Sequence, residues 1–457
     1  MALVSLILAT GRDPQMNSVY PTALQPVLGK PMLAYAVATA RECGADPLWV
    51  VTGPATEQVS EIMGPELNYL SLPESRETGQ ALLSASEALA DCSGDVLVLP
   101  GNMPLLTADA LRQLLEAKRA QGASAAVLTL ERRHSSGGDR IIQDAADLIS
   151  AVIPEEDATE EQRQNNAADA GVYCFGIGEL RAALAKLSPR TGRGEYSLAE
   201  VFTIMLESGA KVIGVPAGDP LTVLRPTDRM QLARTEKCLK EAINGRWMRD
   251  GVTLADPDFT YIGPDVVIGR DTRILPGTFL FGKSMIGENC TIGPHTRIVD
   301  SSIGRDSVVE HSQVLQSRLG AANQVGPFAF IRPGTVTAGQ VKIGDFVELK
   351  NCQIEQGSKV PHLTYLGDTE VGAGVNIGAG TITCNYDGVH KHRTIIGDGA
   401  FIGSNSNLVA PVKVGAGATV GAGSTITKEV PPGALAVARS RQEVKPEWRS
   451  PRDRAGK

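Results

Sequence analysis

Residues 396–426 read IGDGAFIGSNSNLVAPVKVGAGATVGAGSTI, and within them Ile396, Ile402, Leu408, Val414, Val420 and Ile426 sit six apart without a break. Glycine follows several of them, at Gly397, Gly403, Gly415 and Gly421. The same beat runs earlier through Ile262, Ile268, Ile274, Leu280, Ile286, Ile292 and Ile298. Six is not a helix period, and a sheet alone needs only two. A hexapeptide repeat predicts a chain coiled into short parallel strands, each turning one apolar residue inward. The C-terminal half is therefore expected to be a parallel β-helix, a solenoid with long flat faces and few edges. Three hexapeptides make one coil, so residues about 18 apart should stack. On that count Asn376 shares a column with Ser358. Arg332 lies under Lys350, and two stacked cations suit a phosphate dianion. The beat falters around 311–324 and 349–362, where loops are expected to leave the coil.

Working outward, the bulk numbers set limits. The 457 residues suffice for two or three domains, and 42% hydrophobic content allows a large core. Aromatics are scarce at 4%, while 49 glycines and 27 prolines suit a tight coil with many turns. The net charge of −7 and the absence of a long basic run argue against nucleic acid and anionic membranes as general partners. Seven cysteines are scattered with no C-x-x-C pair, which reads as a reduced protein without a disulfide frame or zinc site. The apolar segment 2–9 is too short to span a membrane and lacks a basic leader, so it reads as a first buried strand, and a cytoplasmic location is expected.

The N-terminal half alternates strand-like and helix-like stretches. Strands are expected at 2–9, 48–52, 96–99 and 125–130, and helices at 32–43 and 111–120. This rhythm predicts a nucleotidyltransferase-like, Rossmann-like α/β domain over 1–226, with a parallel sheet covered on both faces. Ligands in such sheets bind beyond the C-terminal strand ends, here the loops 10–16 and 100–104. A charged helical stretch over 227–250 reads as a connecting helix, and 251–457 as the β-helix with a C-terminal arm.

The densest chemistry lies in His-Leu-Thr-Tyr-Leu-Gly-Asp at 362–368 and Asn-Ile-Gly-Ala-Gly-Thr-Ile-Thr-Cys-Asn-Tyr-Asp-Gly at 376–388. With Ile-Arg-Pro-Gly at 331–334, Phe-Val-Glu-Leu-Lys at 346–350, Ile-Gly-Ser at 402–404 and Ala-Val-Ala-Arg at 436–439, this half resembles the C-terminal domain of the bacterial bifunctional N-acetylglucosamine-1-phosphate uridylyltransferase/glucosamine-1-phosphate acetyltransferases. The resemblance implies a left-handed β-helix, a homotrimer, and acetyl-CoA bound between subunits as co-substrate. It implies His362 as general base and Asn385 as the residue that orients the amine; the tetrahedral oxyanion needs a donor, which Ser404 or a nearby backbone N–H would supply. Arg332, Lys350 and Tyr365 would hold the sugar phosphate, with Asn376 beside them. Ala379, Asn385, Tyr386, Ser404, Ala422 and Arg439 would line the acetyl-CoA site. Lys391, between His390 and His392, fits either a site or a solvated loop. The chemistry agrees: an ammonium must lose a proton before it attacks a thioester, and histidine titrates in the right range.

The N-terminal half is similar to the uridylyltransferase domain of the same family in layout. Leu8, Ala9, Thr10 and Gly11 follow the first strand, and Thr78 and Gly79 belong to a second nucleotide-binding segment. The family's loop reads Leu-Ala-x-Gly-x-Gly-Thr-Arg-Met; here Asp13, Pro14 and Gln15 stand where it reads Gly-Thr-Arg. Asp13 adds a carboxylate where a triphosphate must approach. Pro14 removes a backbone N–H. Gln15 and Thr22 stand where the family carries two cations, and Asn102 and Thr227 occupy its magnesium positions. Glu77, Asp139, Pro154 and Asp169 alter the uridine side. The resemblance therefore implies acetyl transfer to glucosamine-1-phosphate, with Mg2+ and UTP relevant only to an active N-terminal site, and uridylyl transfer weak or lost. A fully bifunctional enzyme would need stand-ins such as Arg12 and Asp228.

Overall fold

The computed structural model describes residues 2–72, 78–131, 139–144, 146–162, 167–188 and 196–454. Glu77 lies outside them. The chain forms two compact units, Met1–Lys240 and Glu241–Lys457. The boundary falls within one helix, Arg229–Arg249.

In the first unit, the strand Leu3–Ala9 alternates as a strand buried on both faces must. Leu3 and Ile7 join one apolar cluster, and Val4 and Leu6 join the other. The strand Asp95–Pro100 divides the same way, with Leu97 and Leu99 on one side and Val96 and Val98 on the other. Helices Met32–Glu42 and Ala108–Ala120 cover the first face, and helices Thr78–Ala85, Ile177–Leu184 and Leu198–Glu207 the second. Leu3–Ala9 runs parallel to both Leu48–Thr52 and Asp95–Pro100. The expected parallel sheet is corrected: Ala167–Gly176 is antiparallel to Asp95–Pro100 and to Ala125–Glu131, and an antiparallel hairpin of Arg140–Gln143 and Ile149–Ile153 joins it at Ala168. A run buried on both faces carries no signal of direction, so the sequence pattern could not distinguish the two arrangements.

The second unit is three ladders of parallel strands, 11, 10 and 9 strands long, with successive coils pairing one above the next. The apolar residue of each hexapeptide points inward; Ile274, Leu280, Ile292, Leu366, Ile402 and Leu408 are fully buried. Buried hydroxyls and amides fill positions between them and bond to the backbone or to one another. Ser358 Oγ donates to the Gly372 carbonyl at 2.6 Å, and Asn323 Nδ2 donates to Thr337 Oγ1 at 2.7 Å.

Coil length is not constant. Phe330 pairs with Glu348, 18 residues on, but Lys359 pairs with Asn376, 17 on, and Arg297 with Gln313, 16 on. Three expectations change as a result. The segments around 311–324 and 349–362 stay in the coil as ordinary strands, Gln313–Leu315, Arg318–Leu319, Gln353–Ile354 and Lys359–His362 among them. The beat faltered there because corners lost a residue. Ser358 is not in the column of Asn376, which stacks on Lys359 below and Phe401 above. Finally, the excursion lies elsewhere: Asn376 and Phe401 are 25 apart, so about seven residues beyond a standard 18-residue coil bulge out between Ile382–Cys384 and Thr394–Ile396.

Because the coil interior is close-packed, truncating one of its plugs is expected to be costly. Ile402→Ala should destabilise the C-terminal unit by about 2–5 kcal/mol. Denaturant unfolding of the variant against the parent checks this, and a loss below about 0.5 kcal/mol would contradict the packing described.

Candidate active site

One corner of the coil carries a column of functional residues. Leu363, Gly380, Asn405 and Gly423 all adopt left-handed backbone, with φ of 49°, 74°, 56° and 74°. Phe346, one coil below Leu363, does the same at 57°. Each turns the chain from one face to the next. The residues immediately before them are Asp345, His362, Ala379, Ser404 and Ala422, stacked in that order. Backbone bonds link the steps: Leu363 N donates to Asp345 O at 2.9 Å, Asn405 N to Ala379 O at 2.7 Å, and Gly423 N to Ser404 O at 2.8 Å. Arg439 closes the top by donating from Nη1 to the Ala422 carbonyl at 2.8 Å. A Cβ on Gly378 would stand 2.5 Å from Ser404 N, so glycine lets the coils approach there.

His362 is exposed and its Nδ1 is hydrogen-bonded to Asp345 Oδ1. Register pairs the two residues directly, Asp345 under His362. The bond from His362, followed by Asp345's own backbone N–H, holds the Asp345 carboxyl below the usual carboxylate range. A carboxylate on Nδ1 selects the tautomer whose Nε2 is free to accept a proton. The sequence reading missed Asp345 because it counted coils at 18, and this one has 17.

The adjoining face carries the cations. Arg332 and Lys350 stand one above the other, as expected: Phe330 pairs with Glu348, and Arg332 N donates to Leu349 O at 2.8 Å. Arg332 Nη1 also donates to Glu348 Oε1 at 2.6 Å. Lys391, from the excursion, joins them. Its ammonium beside Lys350 is the main reason the Lys350 pKa is lowered, with Arg332 adding to the effect and Asp368 opposing it. Tyr365 lies over Glu348 on the same face, and a Cβ on Gly367 would meet Tyr365 Oη at 2.5 Å and Asn385 Nδ2 at 2.7 Å. Gly367 thus leaves the opening over which these two polar groups converge.

Asn385 is buried, and its Nδ2 donates to Asp368 Oδ2 at 2.6 Å; Asn351 Nδ2 donates to Asp368 Oδ1 at 2.7 Å. Burial raises the Asp368 pKa, but the bonds from Asn351 and Asn385 and the nearby lysines outweigh it and hold the carboxyl below its ordinary value. With Nδ2 fixed, Asn385 presents its carbonyl oxygen as an acceptor. The excursion is shaped by Asp387, which accepts from Val389 N and His390 N and pairs with His392 Nε2 at 2.7 Å. Its carboxyl falls to about 2, mainly through the His390 N–H and then His392. Tyr386 is exposed, donates from Oη to Gly388 O at 2.6 Å, and pairs with Lys391 across the excursion.

Two groups thus flank one face. His362, Ala379, Ser404, Ala422 and Arg439 follow one corner, while Arg332, Lys350, Lys391, Tyr365 and Asn385 gather toward the next. Five residues of chain separate His362 from Gly367, the register partner of Lys350. At about 3.3 Å per residue that is at most about 16 Å of backbone, which long lysine and arginine side chains shorten.

The first unit has a cavity of about 190 Å³ at the C-terminal ends of two strands, lined by Leu8, Ala9, Thr10 and Gly11 at the end of the first and by Pro100 and Asn102 at the end of the other. Thr78 and Thr227 line it too. Gly79 does not; it packs where a Cβ would meet Tyr196 O at 2.3 Å. Asp13 and Thr22 line the cavity and hold its loop, with Asp13 N donating to Thr22 Oγ1 at 2.9 Å. Asn102 Nδ2 donates to Pro226 O at 3.4 Å, and Thr227 N and Oγ1 both lie on Gln231 Oε1. Asp228 accepts from Gln231 N at 2.8 Å at the start of the helix Arg229–Arg249, and neither it nor Arg12 lines the cavity. Asp169 is buried and committed: its Oδ1 accepts from Gly171 N at 2.6 Å and its Oδ2 from the Tyr173 hydroxyl. Burial lifts its carboxyl to about 6 despite those two bonds. Among the described lining residues Asp13 is the one carboxylate and Arg225 the one cation. Magnesium wants charged oxygen ligands in near-octahedral array, and this set does not fit it.

A family model of the MobA-like NTP transferase domain matches residues 5–237, and one of the bacterial transferase hexapeptide matches 393–428. The chain is 46% identical over 455 residues to the bifunctional protein GlmU of Caldanaerobacter subterraneus, covering 100% of this chain and 99% of that protein. It is 46% identical over 441 residues to that of Heliobacterium modesticaldum, covering 96% of each. With that of Carboxydothermus hydrogenoformans the identity is 44% over 443 residues, 97% of this chain and 99% of the other.

The lysine pair is directly testable. Removing Lys391 by Lys391→Ala should raise the Lys350 pKa toward the ordinary lysine value. A 13C-methyl or side-chain 15N titration reads it, and an unmoved Lys350 would show that the two ammoniums do not interact.

Proposed function

This chain belongs to the family of bifunctional GlmU enzymes, and from that premise we propose that its β-helix transfers acetyl from acetyl-CoA to the amine of glucosamine-1-phosphate. The observation that carries the reading is the bond between His362 Nδ1 and Asp345 beside a cluster of three cations. Arg332, Lys350 and Lys391 grip the phosphate. Tyr365 supports the sugar and Asn376 stands near it. Asn385, held by Asp368, accepts from the amine and aims it.

His362 takes the ammonium proton on Nε2, with Asp345 stabilising the imidazolium. Positioned proton transfer of this kind contributes roughly 10²–10⁴ in rate. The amine nitrogen then attacks the thioester carbonyl. The C–N bond forms, the oxyanion is met by Ser404 Oγ or a nearby N–H, the C–S bond breaks as the thiolate of coenzyme A leaves, and the second proton shed by the nitrogen as it becomes an amide goes to that thiolate. Ala379, Ala422, Tyr386 and Arg439 form the wall for the pantetheine and phosphate parts. No covalent enzyme intermediate is required.

The homotrimer belongs to the same proposal. Phe330, Phe401, Met285, Val308, Val336 and Ile382 are exposed on the coil faces, and a second and third copy would cover them. No helix among the described residues is long and apolar enough to cross a membrane, and we propose a cytoplasmic enzyme.

Uridylyl transfer is proposed to be weak or lost. The cavity has a neutral amide and a hydroxyl where a metal-bearing carboxylate is wanted, and neither Arg12 nor Asp228 supplies the missing charge. A single preorganised charge is worth about 10²–10³ in rate, and the several losses here do not simply multiply.

Two measurements test the proposal. His362→Ala is expected to lower acetyl transfer by at least about 10²-fold while Asp345→Asn lowers it less and alters its pH profile; retained activity in His362→Ala would sink the mechanism. The intact protein with UTP, magnesium and N-acetylglucosamine-1-phosphate is expected to release negligible pyrophosphate, and ordinary turnover would overturn the loss.

A further inference from the structure

We propose that Asp387 is a positioning residue for acetyl transfer: it closes the turn of a hairpin over 385–392 and so fixes Lys391 beside Lys350 in the cation cluster. The inference rests on the acetyl-transfer reading and deepens it, by tracing the grip on the phosphate to a residue that touches no substrate.

The backbone shows the hairpin. His392 N donates to Asn385 O at 2.8 Å, and Tyr386 pairs antiparallel with Lys391. Between them Asp387 N donates to His390 O at 3.1 Å, with Gly388 at φ +103° in the turn. The Asp387 side chain adds three bonds. Its Oδ1 accepts from Val389 N at 2.8 Å and from His390 N at 2.7 Å, and its Oδ2 pairs with His392 Nε2 at 2.7 Å. Lys391 is thus bracketed, because the residue before it and the residue after it both end on one carboxylate.

The hairpin has little else to hold it. Tyr386 and Val389 are exposed, so the turn buries no apolar plug. A two-stranded hairpin without a packed face is marginal in water, and its shape depends on its own hydrogen bonds. Aspartate suits the position because its short side chain accepts from backbone N–H groups two and three residues on.

Electrostatics make that shape matter. Lys391 is exposed, and its ammonium stands beside that of Lys350 with Arg332 near. Like charges push Lys391 away along a flexible stem. Asp368 attracts both lysines but is already bonded to Asn351 and Asn385. The hairpin backbone therefore holds Lys391 against the repulsion. Asn385 depends on the hairpin less, since Asp368 fixes its side chain from the coil. Loss of Asp387 should accordingly fall on phosphate binding more than on aiming the amine.

Steady-state kinetics of the full-length protein test this. Asp387→Ala is expected to raise the KM for glucosamine-1-phosphate about tenfold, as for one lost charge-assisted bond, and to lower kcat less than about threefold. Asp387→Asn keeps an oxygen for both backbone N–H groups and should restore most of that KM; His392→Ala removes one of the three bonds and should fall between. In a Lys391→Ala background, Asp387→Ala should add less than about twofold, because both changes act through one ammonium. An NMR titration of Lys350 reads the coupling without substrate: Asp387→Ala should raise its pKa toward the ordinary lysine value. The variants should keep the parent's unfolding midpoint, since the turn packs nothing into the coil. An unchanged KM, an unmoved Lys350, or a full effect persisting in Lys391→Ala would overturn the proposal. A parent that transfers no acetyl would sink the reading above instead, and the Lys350 titration would still decide whether Asp387 places Lys391.

Discussion

Each coil of the C-terminal unit hangs on the next by parallel backbone hydrogen bonds, and every functional residue there is positioned by that ladder. Lys342 pairs with Lys359, Lys359 with Asn376, and Asn376 with Phe401, so Asp345, His362, Ala379 and Ser404 come to one corner without any contact between their side chains being needed to assemble it. Inward plugs such as Ile377 and Ile402 lock the ladder, because a slip by one residue would turn them outward and bring exposed neighbours in. Side chains that look scattered in sequence, over nearly a hundred positions from 345 to 439, are in this sense a single vertical feature.

That ladder explains what could be read beforehand and what could not. The six-residue beat was legible because an interior position tolerates only an apolar residue. The stack of Arg332 on Lys350 followed because their coil keeps 18 residues. Asp345, Glu348 and Asp368 escaped notice because the coils above them have 17 residues, so a count of 18 misses each partner by one. Allowing a corner to lose a residue would have put Asp345 under His362. Lys391 was undecided for a different reason: it sits in the excursion, where no period applies and only the tertiary structure brings it to Lys350.

In the first unit the alternation of strands and helices was equally legible, and Leu8 to Gly11 and Asn102 do line one cavity. The direction of Ala167–Gly176 was hidden because all but its first residue are buried. Arg225 was hidden because it precedes a proline in a segment that reads as ordinary loop. The available signal was indirect: a glycine at 171 with left-handed backbone, whose need for space only becomes visible once the arginine is beside it.

The cation cluster has a thermodynamic consequence that ties fold to ligand. Lys350 has a lowered pKa in the folded chain because Lys391 and Arg332 crowd it. A lysine whose folded pKa lies below its unfolded value costs stability when both states are protonated. The cost is therefore fully present below the folded pKa and is relieved as pH rises toward the unfolded value. Such an arrangement does not stabilise the empty coil. It is tolerated because the rigid ladder fixes the backbone under Arg332 and Lys350 regardless of what their side chains repel. An anion placed among them removes the repulsion and gains charge-assisted bonds in one step, so part of its binding free energy is strain already held by the protein. The same logic sets the two sites of the chain apart: one concentrates positive charge on a wall too stiff to disperse it, and the other sets a single guanidinium against one carboxylate.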